Sequence, residues 1–399
     1  MPSTNRTNAA AKKIADNDDV LTEILIRVPV KPLLRFKCMS RRWLSLISDP
    51  YFSRRHQHHH HHCSSLSGIL LCRSIPSQYQ FLPLDGTHSG PPFKSLDYIS
   101  DDSSHFPSPS GVKILQSRNG LFMCRSLENK SGDKRHCYYV CNPTTMHFSK
   151  LPFPDTDWAN AISGLTLSFE PSKSPYYQVV CVRSTTVPPY NYQIEVYSSE
   201  TRAWRASGSP FVAPHDMVFH QGVCWNGAVH WLSPSGAAMS FNINKEVFGT
   251  MPSPPRSEAQ GTRRFRYFDE SGGHLHLIEI YGAHTTQFKV LEMASDYAGW
   301  FVKYDVDLRG IVVSYPEMVR NFLDQRDSCY FAFIIVFFLR KEEEAELLLH
   351  VPGKIVSYNL RDRSVKELCE IGPYPFENRN KLQFGWLDAY PYVETLACV

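Results

Sequence analysis

The side chains most able to do chemistry in this chain are histidines and carboxylates that lie close together in the sequence. His274, His276 and Glu279 are the nearest approach to a metal-binding triad. In a β-strand, residues 274 and 276 point to one face and residue 279 points to the other, so we interpret them as ordinary strand residues. Six histidines between residues 56 and 62 could bind a divalent metal loosely through imidazole nitrogens, but we favour a low-complexity linker.

Other patterns typical of enzymes are absent from the sequence. It contains no GxGxxG motif, no P-loop and no GxSxG nucleophile elbow. Cys137 and Cys141 form a lone CxxxC pair among eleven cysteines without a repeated spacing, which indicates reduced, mostly buried thiols. We interpret the acidic run at residues 342–346 as a solvated loop between strands, with a docking patch for a basic substrate as the alternative. We therefore predict a protein that is not an enzyme and needs no cofactor.

Composition indicates a globular protein with more than one domain. The 399 residues are 42% hydrophobic and 20% charged, unlike disordered chains. Of the charged residues, eleven Lys/Arg and five Asp/Glu lie in residues 1–60, and the remainder gives no support for a nucleic-acid surface. The first 20 residues lack a signal-peptide run. The ten-residue apolar run at 330–339 is too short to cross a membrane as a helix and suits a buried strand. We expect a location in the nucleus or cytoplasm and no membrane partner.

Residues 18–56 carry the signals of three short helices. Asp18 or Asp19 could cap the first helix, Pro29 would end it, and the third is predicted at residues 40–47. The apolar residues in these helices and between them include Leu21, Ile24, Leu25, Val28, Leu33, Leu34, Phe36, Trp43, Leu44 and Ile47. So small a unit cannot bury all of this apolar surface by itself. The segment is therefore predicted to bind another protein.

Residues 23–52 read E-I-L-x-R-V-P-V-K-x-L-L-R-F-K-C-x-S-x-x-W-x-S-L-I-S-D-P-x-F. This string resembles the F-box in the form common among plant F-box proteins, although Asp16 and Asn17 stand where family members usually have Leu-Pro. The resemblance implies that the segment binds a small Skp-type adaptor, which docks on a cullin. The residues expected to contact the adaptor, or to support those that do, are Leu21, Ile24, Leu25, Pro29, Leu33, Leu34 and Trp43. An ordinary helical hairpin within a larger domain is the alternative.

From residue 68 onward, short apolar runs alternate with turn residues, which predicts β-structure throughout. A first series of turns has Asn119-Gly120, Ser172-Lys173, Asn226-Gly227, Gly272-Gly273 and Arg326-Asp327, at steps of 46–54 residues. A second series of strand–turn–strand segments occupies 140–152, 196–210, 240–254, 290–308 and 357–368. Two hairpins in each repeat of about 50 residues are typical of a propeller blade. Five blades are visible in this way, and residues 68–84 with 386–396 could close a sixth.

The segments SRNGLFMC (residues 117–124) and YYVCNPTTMHFSKLP (138–152) resemble the F-box-associated domain of plant F-box proteins, a kelch-like β-propeller. The predicted fold class is multi-domain, α plus all-β. It has a three-helix F-box followed by a propeller of six blades. The predicted domains are a disordered N-terminus (1–15), the F-box (16–56), a His/Ser-rich linker (57–67) and the propeller (68–399).

This resemblance implies a function. Such a chain would be the substrate-recognition subunit of an SCF-type cullin–RING ubiquitin ligase, with the adaptor, cullin and RING subunit on one side and a protein substrate on the propeller. It would act by raising the effective concentration of substrate near a charged conjugating enzyme. Two alternatives stay open. One is an F-box binding module that acts outside ubiquitination, and the other is a propeller enzyme or lectin with a helical head.

Overall fold

The structure is a computed structural model that describes residues 17–60, 66–72, 79–84, 93, 95–99, 111–127, 136–153, 161–185, 191–255, 263–282, 285–340, 344–372, 382 and 384–399. The N-terminus that we predicted to be disordered, 1–15, lies outside this part of the chain. Among the described residues, no helix combines the length and the apolar character needed to span a membrane.

Four helices form the F-box: α1 (Asp18–Leu25), α2 (Val30–Phe36), α3 (Arg41–Ile47) and α4 (Pro50–His59). The sequence predicted three. The Ser-Asp-Pro stretch that ends α3 also starts α4, because the Asp49 carboxylate accepts from two backbone N–H groups and Pro50 stands in the first turn. The helix runs to His59, so the predicted linker at 57–67 begins with helical residues.

The cap of α1 lies one residue before the predicted Asp18. The Asn17 side chain accepts hydrogen bonds from the backbone N–H groups of Asp19 (3.0 Å) and Val20 (3.2 Å). Asn17 is one of the two residues that stand in place of the usual Leu-Pro. The departure thus has a local structural role, because an asparagine amide can accept from the free N–H groups of a helix start and a proline cannot.

We expect Asn17→Ala to lower the free energy of unfolding of the F-box by about 1 kcal/mol, because the first turn loses its side-chain acceptor. Urea denaturation followed through F-box signals would measure the change. Ser45→Ala, at an exposed position within α3, is the control and should change stability by less than about 0.5 kcal/mol. Equal stability of the Asn17 and Ser45 variants would contradict the capping role.

Six antiparallel sheets follow the F-box and form a six-bladed propeller. The first two strands are β1 (Gly68–Cys72) and β2 (Tyr79–Pro83). Blade 1 contains β3 (Val112–Arg118), β4 (Leu121–Ser126), β5 (Tyr138–Asn142) and β6 (His147–Lys150). Blade 2 contains β7 (Ile162–Ser168), β8 (Gln178–Ser184), β9 (Asn191–Ser198) and β10 (Ala203–Val212). Blade 3 contains β11 (Val223–Trp225), β12 (Ala228–Leu232), β13 (Ala238–Asn242) and β14 (Val247–Thr250).

Blade 4 contains β15 (Arg263–Ser271), β16 (His274–Tyr281), β17 (Gln287–Met293) and β18 (Trp300–Asp307). A short helix α5 (Arg309–Ser314) and a 3-10 turn (Pro316–Met318) lead to blade 5, which contains β19 (Ile334–Arg340), β20 (Ala345–Val351), β21 (Lys354–Asn359) and β22 (Val365–Glu370). The last strand, β23 (Ala389–Tyr392), pairs with β1, so that blade 6 has the order β2-β1-β23. Chain segments from both ends of the propeller therefore close the ring, as the sequence predicted.

The second series of predicted hairpins is confirmed in all five blades. In the first series, Asn119-Gly120, Asn226-Gly227 and Gly272-Gly273 form the predicted turns, with φ angles between 47° and 88°. Ser172-Lys173 also lies in a turn between the first two strands of its blade, within a longer connection between β7 and β8. Arg326-Asp327 was wrong, because it precedes β19. The first two strands of blade 5 are connected between Arg340, where β19 ends, and Ala345, where β20 begins, and most of this connection lies outside the described residues. The apolar run at 330–339 supplies β19, whose middle residues are buried.

The two ends of the ring differ. The near end carries the turns between the first and second strands of each blade, such as Asn119-Gly120. The far end carries the connections between blades. Packing between adjacent blades supplies the core, as where Leu121, Val140 and Tyr177 meet. The F-box lies at the near end, where the Arg54 guanidinium donates to the carbonyl oxygen of Ser172 (3.2 Å).

Candidate interaction surfaces

The seven predicted adaptor residues divide into two groups in the structure. Leu21, Leu25 and Leu33 are at most 4% exposed and pack with Ile47 and Phe52 in the F-box core. Their side chains support the surface and are not available to a partner. The sequence did not separate core residues from contact residues, because buried Leu21 and Leu25 and exposed Ile24 lie on the same apolar stripe of α1.

The other four adaptor residues are accessible to different degrees. Ile24 is 46% exposed and Pro29 is exposed, whereas Leu34 and Trp43 are half-buried. The Trp43 ring meets the edge of Phe36 with 5.3 Å between ring centroids. Exposed apolar side chains that we did not name as adaptor residues are Val20 at 39%, Met39 at 72% and Leu44 at 47%. Val20 could have been found from the sequence, since it lies four residues before Ile24 on the same helix face.

Two histidines of the run at residues 56–62 have a structural role. The His56 Nε2 lies 2.8 Å from the carbonyl oxygen of Val28, and the His60 Nε2 lies 2.9 Å from that of Ile26. Both carbonyl groups belong to the connection between α1 and α2. Burial lowers the pKa of His56 to about 4, so that this ring is neutral at pH 7 and can donate one N–H. Within the described residues, no three His, Cys, Asp or Glu side chains are grouped to hold a metal ion.

A central cavity of about 1730 Å³ runs through the ring and is lined by the first strand of blades 1 to 5 and by β23. Arg118 of blade 1 reaches across it to Glu270 of blade 4, with 2.5 Å between Nη1 and Oε2. Gln116 also bridges blades, because its amide donates to the Gly222 carbonyl oxygen (3.2 Å) and accepts from the Leu167 N–H (2.8 Å). The cavity is therefore a channel crossed by polar side chains rather than an open pore.

One carboxyl group in this channel has an unusual pKa. Burial raises the pKa of Asp269 to about 7, so its charge changes near neutral pH. The neighbouring Arg118 stays charged, because the Glu270 carboxylate offsets the effect of burial and raises the pKa of the guanidinium. The channel can therefore present both a fixed ion pair and a titrating carboxyl group to a ligand.

His274 and His276 lie near the carboxylate of Glu292 and not near that of Glu279. Glu279 pairs with Arg266 (2.7 Å) and Arg263 (3.2 Å), as expected from its opposite strand face. His274 Nδ1 instead lies 2.8 Å from Glu292, which the next strand brings opposite His276. Sequence spacing gave no sign of this contact, because it depends on the register between β16 and β17.

Glu292 is the centre of a buried ion-pair cluster between blades 4 and 5. Its carboxylate is 5% exposed and lies 2.6 Å from Arg340 Nη1, 3.6 Å from His276 Nε2 and 3.7 Å from Lys303 Nζ. Burial alone would raise the pKa of Glu292, but the nearby His276 ring and the Arg340 guanidinium lower it below its usual range. The cluster joins the two blades, because Glu292 belongs to β17 and Arg340 to β19.

The chain thus consists of a small helical unit with exposed apolar side chains and a closed ring of six blades. Residues 17–55 match the family described as F-box domain. Residues 68–269 match the F-box associated beta propeller domain. The chain belongs to the F-box proteins that carry an F-box-associated β-propeller.

Curated relatives extend this similarity over most of the chain. The chain is 34% identical to "F-box protein At5g07610" of Arabidopsis thaliana over 91% of its own length and 88% of that protein. It is 28% identical to "F-box protein At5g49610" of Arabidopsis thaliana, over 74% of this chain and 79% of that protein. It is also 23% identical to "F-box/kelch-repeat protein At3g23880" of Arabidopsis thaliana, over 59% of this chain and 65% of that protein.

Proposed function

We propose that this protein is the substrate-recognition subunit of an SCF-type ubiquitin ligase. Its F-box binds a Skp-type adaptor, which connects it to the cullin and RING subunits, and its propeller binds the protein to be ubiquitinated. The observation that carries this proposal is the exposure of Ile24 on α1 beside Leu21 and Leu25, which are buried in the core. Val20, four residues earlier on the same helix face, is also exposed, at 39%. Neighbouring apolar side chains left in water on a folded helix are available to a protein partner.

The proposed action requires no catalytic residue in this chain. Binding both the substrate and the ligase subunits makes the transfer of ubiquitin effectively intramolecular. The gain depends on geometry, because the substrate lysine must reach the conjugating enzyme. The direct contact of Arg54 with blade 2 supports a fixed relation between the two bound partners.

The far end of the propeller and its channel are the proposed substrate surface. The near end is partly covered, since Gln57 of α4 contributes to the lining of the channel. The far end carries the longer connections, including α5 and the turn at Pro316–Met318. Connections of this kind commonly carry binding residues on a rigid scaffold.

Four tryptophans of the propeller bear on the lectin alternative, which would need exposed indoles clustered with Asn or Asp. Each of these indole N–H groups donates to a backbone carbonyl oxygen, in Trp204, Trp225, Trp231 and Trp300. Trp231 is fully buried and Trp225 is 5% exposed. These tryptophans therefore serve the packing of blades and give no support to glycan binding.

We expect Ile24→Glu to weaken adaptor binding at least about tenfold, because a charge would replace an apolar contact at the interface. Titration of the purified full chain with a Skp-type adaptor would measure the dissociation constant. Val247→Glu is the matched control, since Val247 is 52% exposed on the propeller. Equal adaptor affinity of the two variants would contradict the proposed surface. Adaptor binding by the wild-type chain without recruitment of cullin would favour a role outside ubiquitination.

Leu33→Ala combined with Leu34→Ala is a poor test of the same surface. Leu33 is fully buried, so its truncation removes core packing and costs about 2–5 kcal/mol. Lost binding in that variant would report unfolding of the F-box and not loss of a contact.

A further inference from the structure

Residues 393–399, which we call the tail segment, pass between the F-box and the near end of the propeller. Leu396 is 2% exposed and packs in the F-box core with Leu33 and Ile47. Ala397, the next residue, is 3% exposed and packs in the core between blades 1 and 2. Two successive residues of one segment thus complete the cores of two different units.

On the propeller side, one buried amide makes two hydrogen bonds to the tail segment. The Asn142 Nδ2 donates to the carbonyl oxygens of Thr395 (3.0 Å) and Ala397 (2.8 Å). The same side chain also caps its own hairpin turn, because its Oδ1 accepts from the backbone N–H of Thr144 (2.9 Å). Asn242 of blade 3 caps the equivalent turn in the same way, accepting from the Lys245 N–H (2.8 Å). Asn142 therefore has two roles. It caps its turn, as Asn242 does in blade 3, and it also binds the tail segment.

On the F-box side, three polar contacts reach the tail segment from different helices. Lys31 of α2 pairs with Glu394 (2.8 Å). Ser48, just after α3, accepts from the Cys398 thiol (3.5 Å). From α4, the Gln57 amide oxygen accepts from the Thr395 hydroxyl (3.4 Å). The segment is therefore attached to α2, to the end of α3 and to α4.

The close approach of the tail segment also explains one glycine. A Cβ at Gly120 would collide with the Thr395 side chain and would lie 2.6 Å from the Val393 carbonyl oxygen. Gly227 occupies the same turn position in blade 3, and a Cβ there would meet nothing within 4 Å. The φ angles are similar, 88° and 73°. Both positions favour glycine by conformation, but only at Gly120 does the tail segment require it as well.

We propose that the tail segment holds the F-box in one orientation on the propeller and thereby positions the substrate for ubiquitin transfer. The second half of this statement rests on the proposed function. The segment acts as a shared core element, since Leu396 belongs to the F-box and Ala397 to blades 1 and 2. Asn142 and Gly120 are positioning residues, because they act through the segment and not through any bound partner.

Gly120→Ala and Gly227→Ala form a matched pair that tests the proposal in the full chain. Both add a methyl group at positive φ, so both carry the same backbone strain. Only Gly120→Ala should displace the tail segment. We expect hydrogen exchange at residues 395–397 to become about tenfold faster in that variant. Small-angle scattering of the free chain should then show a broader distribution of distances, whereas Gly227→Ala should match the wild type in both measurements.

A second pair of variants tests the hydrogen bonds from Asn142 to the tail segment, and a further variant is available if the first one misfolds. Asn142→Asp keeps the oxygen that caps the turn and replaces the donor to Thr395 and Ala397, and Asn242→Asp makes the same change in blade 3. If blade 1 fails to fold in Asn142→Asp, Leu396→Ser removes the F-box contact from the segment itself. Faster exchange in the tail segment with unchanged scattering would overturn the proposal, because the F-box would then be held by other contacts.

Adaptor affinity separates this proposal from the proposed function. The exchange and scattering measurements use the chain without any partner. A wild-type chain that fails to bind the adaptor would contradict the proposed function and leave these two measurements as a valid test of the tail segment. We expect Gly120→Ala to bind the adaptor within about threefold of the wild type, since Ile24 is unchanged. Ubiquitination of bound substrate should nevertheless be reduced, which a purely local defect would not produce.

Discussion

Glu292→Ala is expected to lower the free energy of unfolding of the propeller by about 3–5 kcal/mol. The substitution leaves Arg340, whose side chain is 14% exposed, without its carboxylate partner in a buried site, and an uncompensated buried charge is strongly destabilising. It also removes the partner of His274. Chemical denaturation at neutral pH would measure the change through the shift of the midpoint and the slope of the transition.

The control is an ion pair of similar length at the surface. Lys354 and Glu367 lie 2.7 Å apart and are 30% and 39% exposed, so Glu367→Ala should leave the transition nearly unchanged. The double variant Glu292→Ala, Arg340→Met should recover part of the loss, because no unpaired charge stays buried. If Glu292→Ala unfolds at the same denaturant concentration as Glu367→Ala, the cluster does not stabilise the packing of blades 4 and 5.

Acidification to about pH 5 is expected to destabilise the F-box by about 2 kcal/mol through His56 alone. Burial lowers the pKa of His56 from 6.5 to about 4. Below pH 6.5 the unfolded chain takes up a proton that the folded F-box does not, so stability is complete above this pH and is lost as pH falls toward 4. At about pH 5 the difference is about 2 kcal/mol, a large fraction of the stability of so small a unit.

Hydrogen exchange of F-box amides such as that of Leu33, corrected for the intrinsic effect of pH, would measure this loss. His56→Gln keeps a side-chain N–H that can donate to the Val28 carbonyl oxygen but has no group that titrates in this range. Its protection should therefore stay constant between about pH 7 and pH 5. His147→Gln, at an exposed position of blade 1, should behave as the wild type. An unchanged pH dependence in His56→Gln would contradict the assignment to His56.

Local signals were sufficient to predict the main architecture. Asn119-Gly120 and Asn226-Gly227 need positive φ angles, and that requirement is a property of the residues themselves. Ser172-Lys173 and Arg326-Asp327 carry no such requirement. They were accepted for their spacing alone. The spacing was correct for Ser172-Lys173 and failed for Arg326-Asp327, because inter-blade connections differ in length. α5 and Pro316–Met318 lengthen one of them, which moved the fifth turn away from its expected place.

The candidate surfaces depended on contacts that no local pattern contains. Ile24 and Leu25 are adjacent and equally apolar, yet one is 46% exposed and the other 1%, because packing against other helices decides which face is covered. Arg118 and Glu270 meet across the channel only because blades 1 and 4 lie opposite each other in a ring of six. The same holds for Leu396, whose place in the F-box core depends on where the ring closes.

The pairing of β1 with β23 also determines when a newly made chain can finish folding. Gly68 pairs with Tyr392, so one partner leaves the ribosome just after the F-box and the other only after five further blades. Until then the strand Gly68–Cys72, buried along its whole length in the finished ring, has an unpaired apolar edge that can recruit other chains. Pairing over such a distance is slow. The yield of folded protein in a cell should therefore depend on chaperone capacity during synthesis more than on the stability of the finished ring.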